Sequence, residues 1–465
     1  MTTLSLPRPR RVRPLAILVA SAALVAATQL GLLVQARPDA PDAPGPAGAH
    51  DPTVVAGPIT AIDAPAAAAP GSLARIDHSI AAWTANAAAN DRDFLSTANL
   101  AVLYEARARL SGDVTDYARA EGAADRSLAI EPRQLDVRAL HARLLLASHD
   151  FRRALAEAES LDRTAPDQSA VLAIVADARL ELGDVAEAEA LYGRIATLAP
   201  GGAATARLAR VAFVRGDPDG AVAQAEAAFR TAESEGQEGP ALSWYAYLAG
   251  VLSQSAGNPE AAASWFDRAL EAWPESHLAL AGRARVAAAL GAVDDAIAAY
   301  RQAAAISPQP EALAALGDLL ARRGDDAGAA DQFATVRAIA QLQGSGGLIY
   351  NRQLALFEVN HGGDVARALA LAERELEDRR DVYGYDAYAW ALLANGRAAE
   401  ADEAMTKALA LGTRDALLLE HAGEIAIAVG DPGRAERLLE QALSIRGALD
   451  PVAAARATAA LETLR

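Results

Sequence analysis

The chain has 465 residues, 60 acidic against 43 basic side chains, a formal net charge of −17 and a pI near 4.9. An excess of that sign repels nucleic-acid phosphates unless basic residues cluster on one face, and none do after the first 13 residues, which excludes nucleic acid as a partner class. The absence of cysteine excludes disulfides, thiol nucleophiles, thiolate metal sites and a lipoprotein anchor acylated on cysteine.

In chain order, residues 1–13 carry Arg8, Arg10, Arg11 and Arg13 and no acid, and residues 14–36 hold no charged residue at all. Such an apolar run is long enough to span a bilayer as a helix, and the arginines ahead of it place everything after it outside the cytoplasm, periplasmic or extracellular. The same stretch offers Val34-Gln35-Ala36 as a small-x-small cleavage site, so a signal peptide that releases a secreted chain is the alternative. The length of the run, and Arg37-Pro38 directly after it, favour an uncleaved anchor over residues 1–36. Residues 37–71 are rich in proline, alanine and aspartate and read as an extended, semi-rigid spacer. Leu73, Ile76, Ile80 and Trp83 then keep helical spacing, which predicts a leading helix within residues 72–92.

From residue 93 to residue 447 one pattern repeats. An alanine recurs at Ala120, Ala154, Ala188, Ala221, Ala262, Ala296, Ala329, Ala368, Ala401 and Ala435, with a glycine ahead of it at Gly112, Gly183, Gly216, Gly257, Gly291, Gly324, Gly363, Gly396 and Gly430. His149 stands where one glycine is missing. The steps are 33 or 34 residues except for two, 41 and 39, which hold polar or glycine-rich insertions at 233–240 and 340–347. Those insertions predict either longer turns or seams dividing the array into blocks. Each repeat predicts two antiparallel helices: glycine ends the first in the left-handed conformation, and alanine lets the second approach closely. The acid or amide after the turn (Asp184, Asp217, Asn258, Asp325, Asp364, Asp431) caps the second helix, which a proline at 132, 166, 200, 274 or 308 often stops. Residues 448–465 predict one capping helix.

In residues 241–274 the second half carries Ala262, Phe266, Ala269 and Pro274, which resembles the tetratricopeptide repeat family. The first half has Gly250 in register, Trp244 two residues early, and Ser253 where that family usually has tyrosine. The resemblance implies an all-α, right-handed superhelical solenoid of about ten helix-turn-helix repeats, here preceded by the transmembrane or signal helix. It also implies that first helices line a concave surface that binds an extended peptide or another helix. Carried over position by position, that surface includes Tyr247 and Val251 in the fifth repeat, and Tyr350, Gln353 and Phe357 in the eighth. Asp386 and Trp390 occupy it in the ninth repeat, and Glu420, His421 and Glu424 in the tenth. Aromatic groups at such slots are binding anchors or complete the packing between repeats. The form of this family that grips an acidic C-terminus uses lysines there, and this chain has one lysine, Lys407.

No G-x-S-x-G elbow, glycine-rich phosphate loop with lysine, or H-E-x-x-H occurs. Asp217-Pro-Asp-Gly220 lacks the third acid of a calcium loop and reads as a repeat turn. The expected function is a non-catalytic protein-interaction scaffold or adaptor at the bacterial cell envelope, without cofactor or metal, touching the membrane through its N-terminal helix alone. Its acidity favours basic partner segments. The alternatives are an assembly chaperone released after Ala36, and an enzyme with its site in the groove, metal-assisted around His421 and Glu424.

Overall fold

The computed structural model describes residues 72–345 and 351–465. The apolar stretch, the spacer and Tyr350 lie outside the described residues. Among the described residues the regular structure is helical, with no strand. A leading helix, α1 (Ser72–Ala89), is followed by ten antiparallel pairs. Repeats 1 to 5 are α2 (Phe94–Ser111) with α3 (Thr115–Ile130), α4 (Leu135–Ala147) with α5 (Phe151–Thr164), α6 (Ser169–Glu181) with α7 (Val185–Leu198), α8 (Gly202–Val214) with α9 (Pro218–Ser234), and α10 (Gly239–Ser255) with α11 (Pro259–Ala272). Repeats 6 to 10 are α12 (His277–Ala289) with α13 (Val293–Ile306), α14 (Pro310–Arg322) with α15 (Asp326–Ser345), α16 (Asn351–Asn360) with α17 (Val365–Asp378), α18 (Val382–Ala394) with α19 (Ala398–Ala408), and α20 (Ala416–Ala428) with α21 (Pro432–Ser444). The last helix is α22 (Pro451–Leu464).

The recurring alanines are all buried where the two helices of a pair meet. A methyl there lets the axes approach near the short end of the usual ~8–10 Å range. His149 takes the left-handed conformation (φ 65°) that glycine supplies in the other repeats. In repeat 8 the residue that does so is Gly362 (φ 64°), one place before the expected Gly363. Side chains of Asp217, Asp325, Asp364 and Asp431 each accept the backbone N–H three residues on, capping the second helix, as does Asp150. Asp184 and Asn258 sit at the same position without a side-chain cap bond. In the five repeats with a stopping proline, the second helix ends two residues before it.

The first insertion lengthens its helices: α9 and α10 each run 17 residues, and the turn between them is made by Gly236 (φ 76°) and its neighbours. At the second, α15 extends to 20 residues, and the rest of the insertion falls on undescribed residues.

The core is a chain of local clusters, the largest centred on Phe229, Trp244, Tyr245, Tyr247, Trp265 and Phe266 of repeats 4 and 5. Long-range contacts are added where the array coils back on itself. The turn of repeat 3 meets the start of repeat 9, where a Cβ on Gly183 would lie 2.5 Å from the Arg380 carbonyl oxygen. The turn of repeat 4 meets the start of repeat 10, where Thr413 Oγ1 donates to the Val214 carbonyl (2.5 Å). The turn of repeat 5 meets the segment before α22, where Gln254 Nε2 donates to the Gly447 carbonyl (3.0 Å) and Arg446 pairs with Glu260. Buried Arg379 adds an ion pair to Glu181. These contacts bring the start of α22 over the inner face of repeats 5 to 8.

Candidate functional site

In repeats 5 to 8 the first helices, α10, α12, α14 and α16, together line a cavity of about 350 Å³. Alanines at 281, 288, 314 and 315 make room for it, Leu278, Leu319, Leu354 and Phe357 supply apolar wall, and Asp450, Pro451 and Val452 at the start of α22 close one side. The volume lies at the lower end of ligand pockets, which run from roughly 300 to 1,000 Å³.

The polar groups of the lining are His277, Arg285, Tyr300, Glu311, Asp318, Gln353, Asn360 and His361 among others. Burial lowers the His277 pKa to about 4, so its imidazole is neutral, and its Nδ1 has no hydrogen-bond partner. Burial likewise raises the Tyr300 phenol. Glu311, an exposed residue, belongs to the lining. His361 is held by both nitrogens, to the Phe357 carbonyl (2.9 Å) and to Asp318 Oδ1 (3.1 Å). Burial opposes its protonation, but Asp318 outweighs that and raises its pKa. Ser307 Oγ accepts from Gln309 Nε2 (2.8 Å), and among the described residues no base sits within reach of that hydroxyl. Apolar walls with a few hydrogen-bonding groups are suited to holding a ligand.

The residues expected at the concave surface divide into two sets. Tyr247, Gln353 and Phe357 line the cavity together. Tyr247 stacks obliquely on Phe266 at 5.9 Å, and Phe357, Phe333 and the His361 ring form a cluster in mutual contact. Val251 is half-buried against the cluster of repeats 4 and 5. The others form a buried network at the C-terminal end. His421 has no exposed surface; its Nδ1 is 2.8 Å from Asp386 Oδ1, and its ring stacks on Trp390 with centroids 4.0 Å apart. Trp390 Nε1 donates to Asn360 Oδ1 (2.9 Å). Glu420 accepts two bonds from Arg456 of α22 (2.6 and 2.7 Å), and Arg456 also covers the Trp390 ring. Glu424, half-buried beside them, has its pKa raised by burial and by Glu420. Among the described residues no group of three or more His, Cys, Asp or Glu could hold a metal ion. None of their helices is long and apolar enough to cross a membrane.

His277, Arg285, Glu311 and Asp318 were not anticipated, although a signal for them exists. Glu311 lies 33 residues after Leu278 and Asp318 lies 33 after Arg285, which is the repeat step itself. Extending the same slots through repeats 6 and 7 reaches all four residues or their neighbours.

The sequence profile of the tetratricopeptide repeat family matches residues 139–203 and 247–309, two segments that fall on the helix pairs described above. These two segments are tetratricopeptide repeats. Tetratricopeptide arrays as a rule present surfaces for other proteins and peptides and are non-catalytic. No curated protein matches the sequence. Solved structures similar to this chain include the APC/C hetero-tetramer Cut9-Hcn1, at 15% identity over 78% of this chain and 76% of that one, with a TM-score of 0.38. The human IFIT1 dimer with PPP-AAAA is similar at 15% identity over 80% and 85%, TM-score 0.42. A tetratricopeptide repeat protein from Parabacteroides merdae ATCC 43184 is similar at 19% identity over 56% and 97%, TM-score 0.32. None reaches a TM-score of 0.5, and none bears on what this chain binds.

Proposed function

We propose that this tetratricopeptide array is a non-catalytic scaffold that holds a segment of a partner protein in the cavity of repeats 5 to 8. We further propose that it works outside the cytoplasm, at the bacterial cell envelope, tethered by the apolar residues 14–36. The cavity is the observation that carries the first part. It is the place where inward slots of four successive first helices leave space, whereas the equivalent slots of repeats 9 and 10 are filled by the Trp390–His421 network. The tether is supported by four arginines followed by an uncharged stretch, with a proline-rich spacer to carry the repeats clear of the bilayer.

The test is a pull-down from the native membrane fraction with the full chain as bait. Ala281→Trp fills the cavity from a position that is only half-buried in the fold. Wild type is expected to retain a partner that the variant loses while its thermal melt stays unchanged. Equal recovery by both proteins would remove the cavity from the account.

A further inference from the structure

The ring of His361, just past the end of α16, is set between two groups that can only accept a hydrogen bond. Its Nδ1 lies 2.9 Å from the Phe357 carbonyl oxygen, and its Nε2 lies 3.1 Å from Asp318 Oδ1 on α14. A neutral imidazole carries one N–H, so one of these contacts would turn a nitrogen lone pair against an oxygen; an imidazolium donates to both. The Phe333 and Phe357 rings, with centroids 4.5 and 4.4 Å away, add aromatic faces for the cation. Arg337 of α15 opposes the charge, but it is paired with Glu358 of α16 (3.8 Å), which also meets Arg367 of α17 (3.5 Å). From α18 comes the neutral Trp390 indole, bonded to the neighbouring Asn360. The other charged groups of the cavity lining are Arg285, Glu311, Arg322 and Asp450. The side chains of His361 and Asp318 are 10% and 29% exposed and both belong to the lining, so protons reach the pair from the cavity.

We propose that a single proton on His361 switches this cavity between a holding and a releasing state. With His361 charged, α14 of repeat 7 and the end of α16 in repeat 8 are tied together and the cavity keeps the shape that holds a partner segment. With His361 neutral one of its two contacts turns repulsive, the tie between the repeats is lost, and the segment is released. Burial opposes the charge and the bond to Asp318 outweighs it, so the folded pKa lies above the ordinary 6.5. The tie is therefore complete below pH 6.5 and is lost as pH rises through the folded value. The proposal deepens the reading of this cavity as a partner site and rests on it.

The experiment follows two readouts on the full chain from about pH 5 to about pH 9. One is the NMR titration of the His361 ring in protein with carbon-13-labelled histidine, assigned by its loss in His361→Gln. The other is the pull-down from the native membrane fraction. The ring is expected to titrate above pH 6.5, and partner retention to be constant below that pH and to fall above the ring's midpoint by at most about tenfold per pH unit, the limit one proton sets. Asp318→Asn keeps an acceptor but removes the charge, so it should move both midpoints to lower pH together. His361→Gln should retain little partner at any pH. A ring midpoint at or below 6.5 overturns the proposal, as does retention that ignores pH, a retention midpoint unmoved by Asp318→Asn, or a His361→Gln profile equal to wild type. If Ala281→Trp loses the partner at every pH while His361→Gln matches wild type, the proton switch is wrong and the scaffold reading stands; if wild type retains no partner at any pH, both fall.

Discussion

Glu105 shows how single residues set the character of the inner surface. It is 3% exposed on α2, where burial alone would raise its pKa, but Arg109 and Arg143 outweigh burial and lower it from 4.5 to about 2. A carboxylate with a depressed folded pKa contributes stability that is fully present above its unfolded pKa, near 4.5, and is lost as pH falls through about 2. Glu181 follows the same rule between Arg379 and Arg210. Glu105→Gln should therefore cost on the order of 3 kcal/mol at neutral pH, by stranding two arginines, and should flatten the loss of stability between pH 4.5 and about 2. Denaturant titrations at several pH values check this; a variant with the wild-type acid profile would show that Glu105 is not held as described. Little of this was legible in the sequence. The acids and arginines are visible one by one, but a partner in the next repeat is fixed by which way each helix turns its side chains. Trp390 and His421 illustrate the same limit: their slots were readable, and their mutual stacking, which takes up their faces, was not.

Helix pairs were the most legible level, because alanine, glycine and proline act through local sterics that the residue type alone carries. His149 could be placed in the left-handed turn from the register of the turn glycines in the other repeats. Gly363 could not be told from Gly362, since either glycine can adopt the conformation and only the path of α16 decides between them. The first insertion was readable as extra length but was expected as a turn or seam; the helix instead runs on through Thr231, Ala232, Glu233 and Ser234, which contain no breaker, and the turn waits for Gly236. Packing between neighbouring pairs uses glycine for a different purpose. The Phe266 ring, with no exposed surface, sits in a slot between Gly250 of its own pair and Gly282 of the next; a Cβ on Gly250 would lie 2.6 Å from the ring, and one on Gly282 would also collide with it. Gly282→Ala gains about 1 kcal/mol of helix propensity but forces the ring to move, an overpacking cost of about 1–3 kcal/mol. Thermal unfolding should show net destabilisation of up to about 2 kcal/mol. A more stable variant would mean that the slot has slack and that the register of repeats 5 and 6 is looser than described.

The least legible level was the whole molecule. A repeat pattern specifies each pair and its neighbour, whereas the meeting of turns nearly 200 residues apart depends on how small rotations accumulate along the array. Turn glycines of repeats 3 and 4 approach the next coil closely, while Gly291, Gly324, Gly396 and Gly430 meet nothing within 4 Å, and one sequence signal serves both situations. The exposed Arg446–Glu260 pair adds little to this closure, while the backbone approach at Gly183 and the buried Arg379–Glu181 pair make it specific. Closure also decides where a partner can sit, because it sets Asp450, Pro451 and Val452 over the cavity and leaves the inward slots of repeats 5 to 8 as the available space. The most direct measurement is photo-crosslinking in the native host, with the reactive residue placed at Gln353 in the cavity lining or at Gln302, which is exposed on α13 outside that lining. A discrete protein partner crosslinked from Gln353 and absent from Gln302 is the result expected; the same partner captured from Gln302 alone would contradict the account.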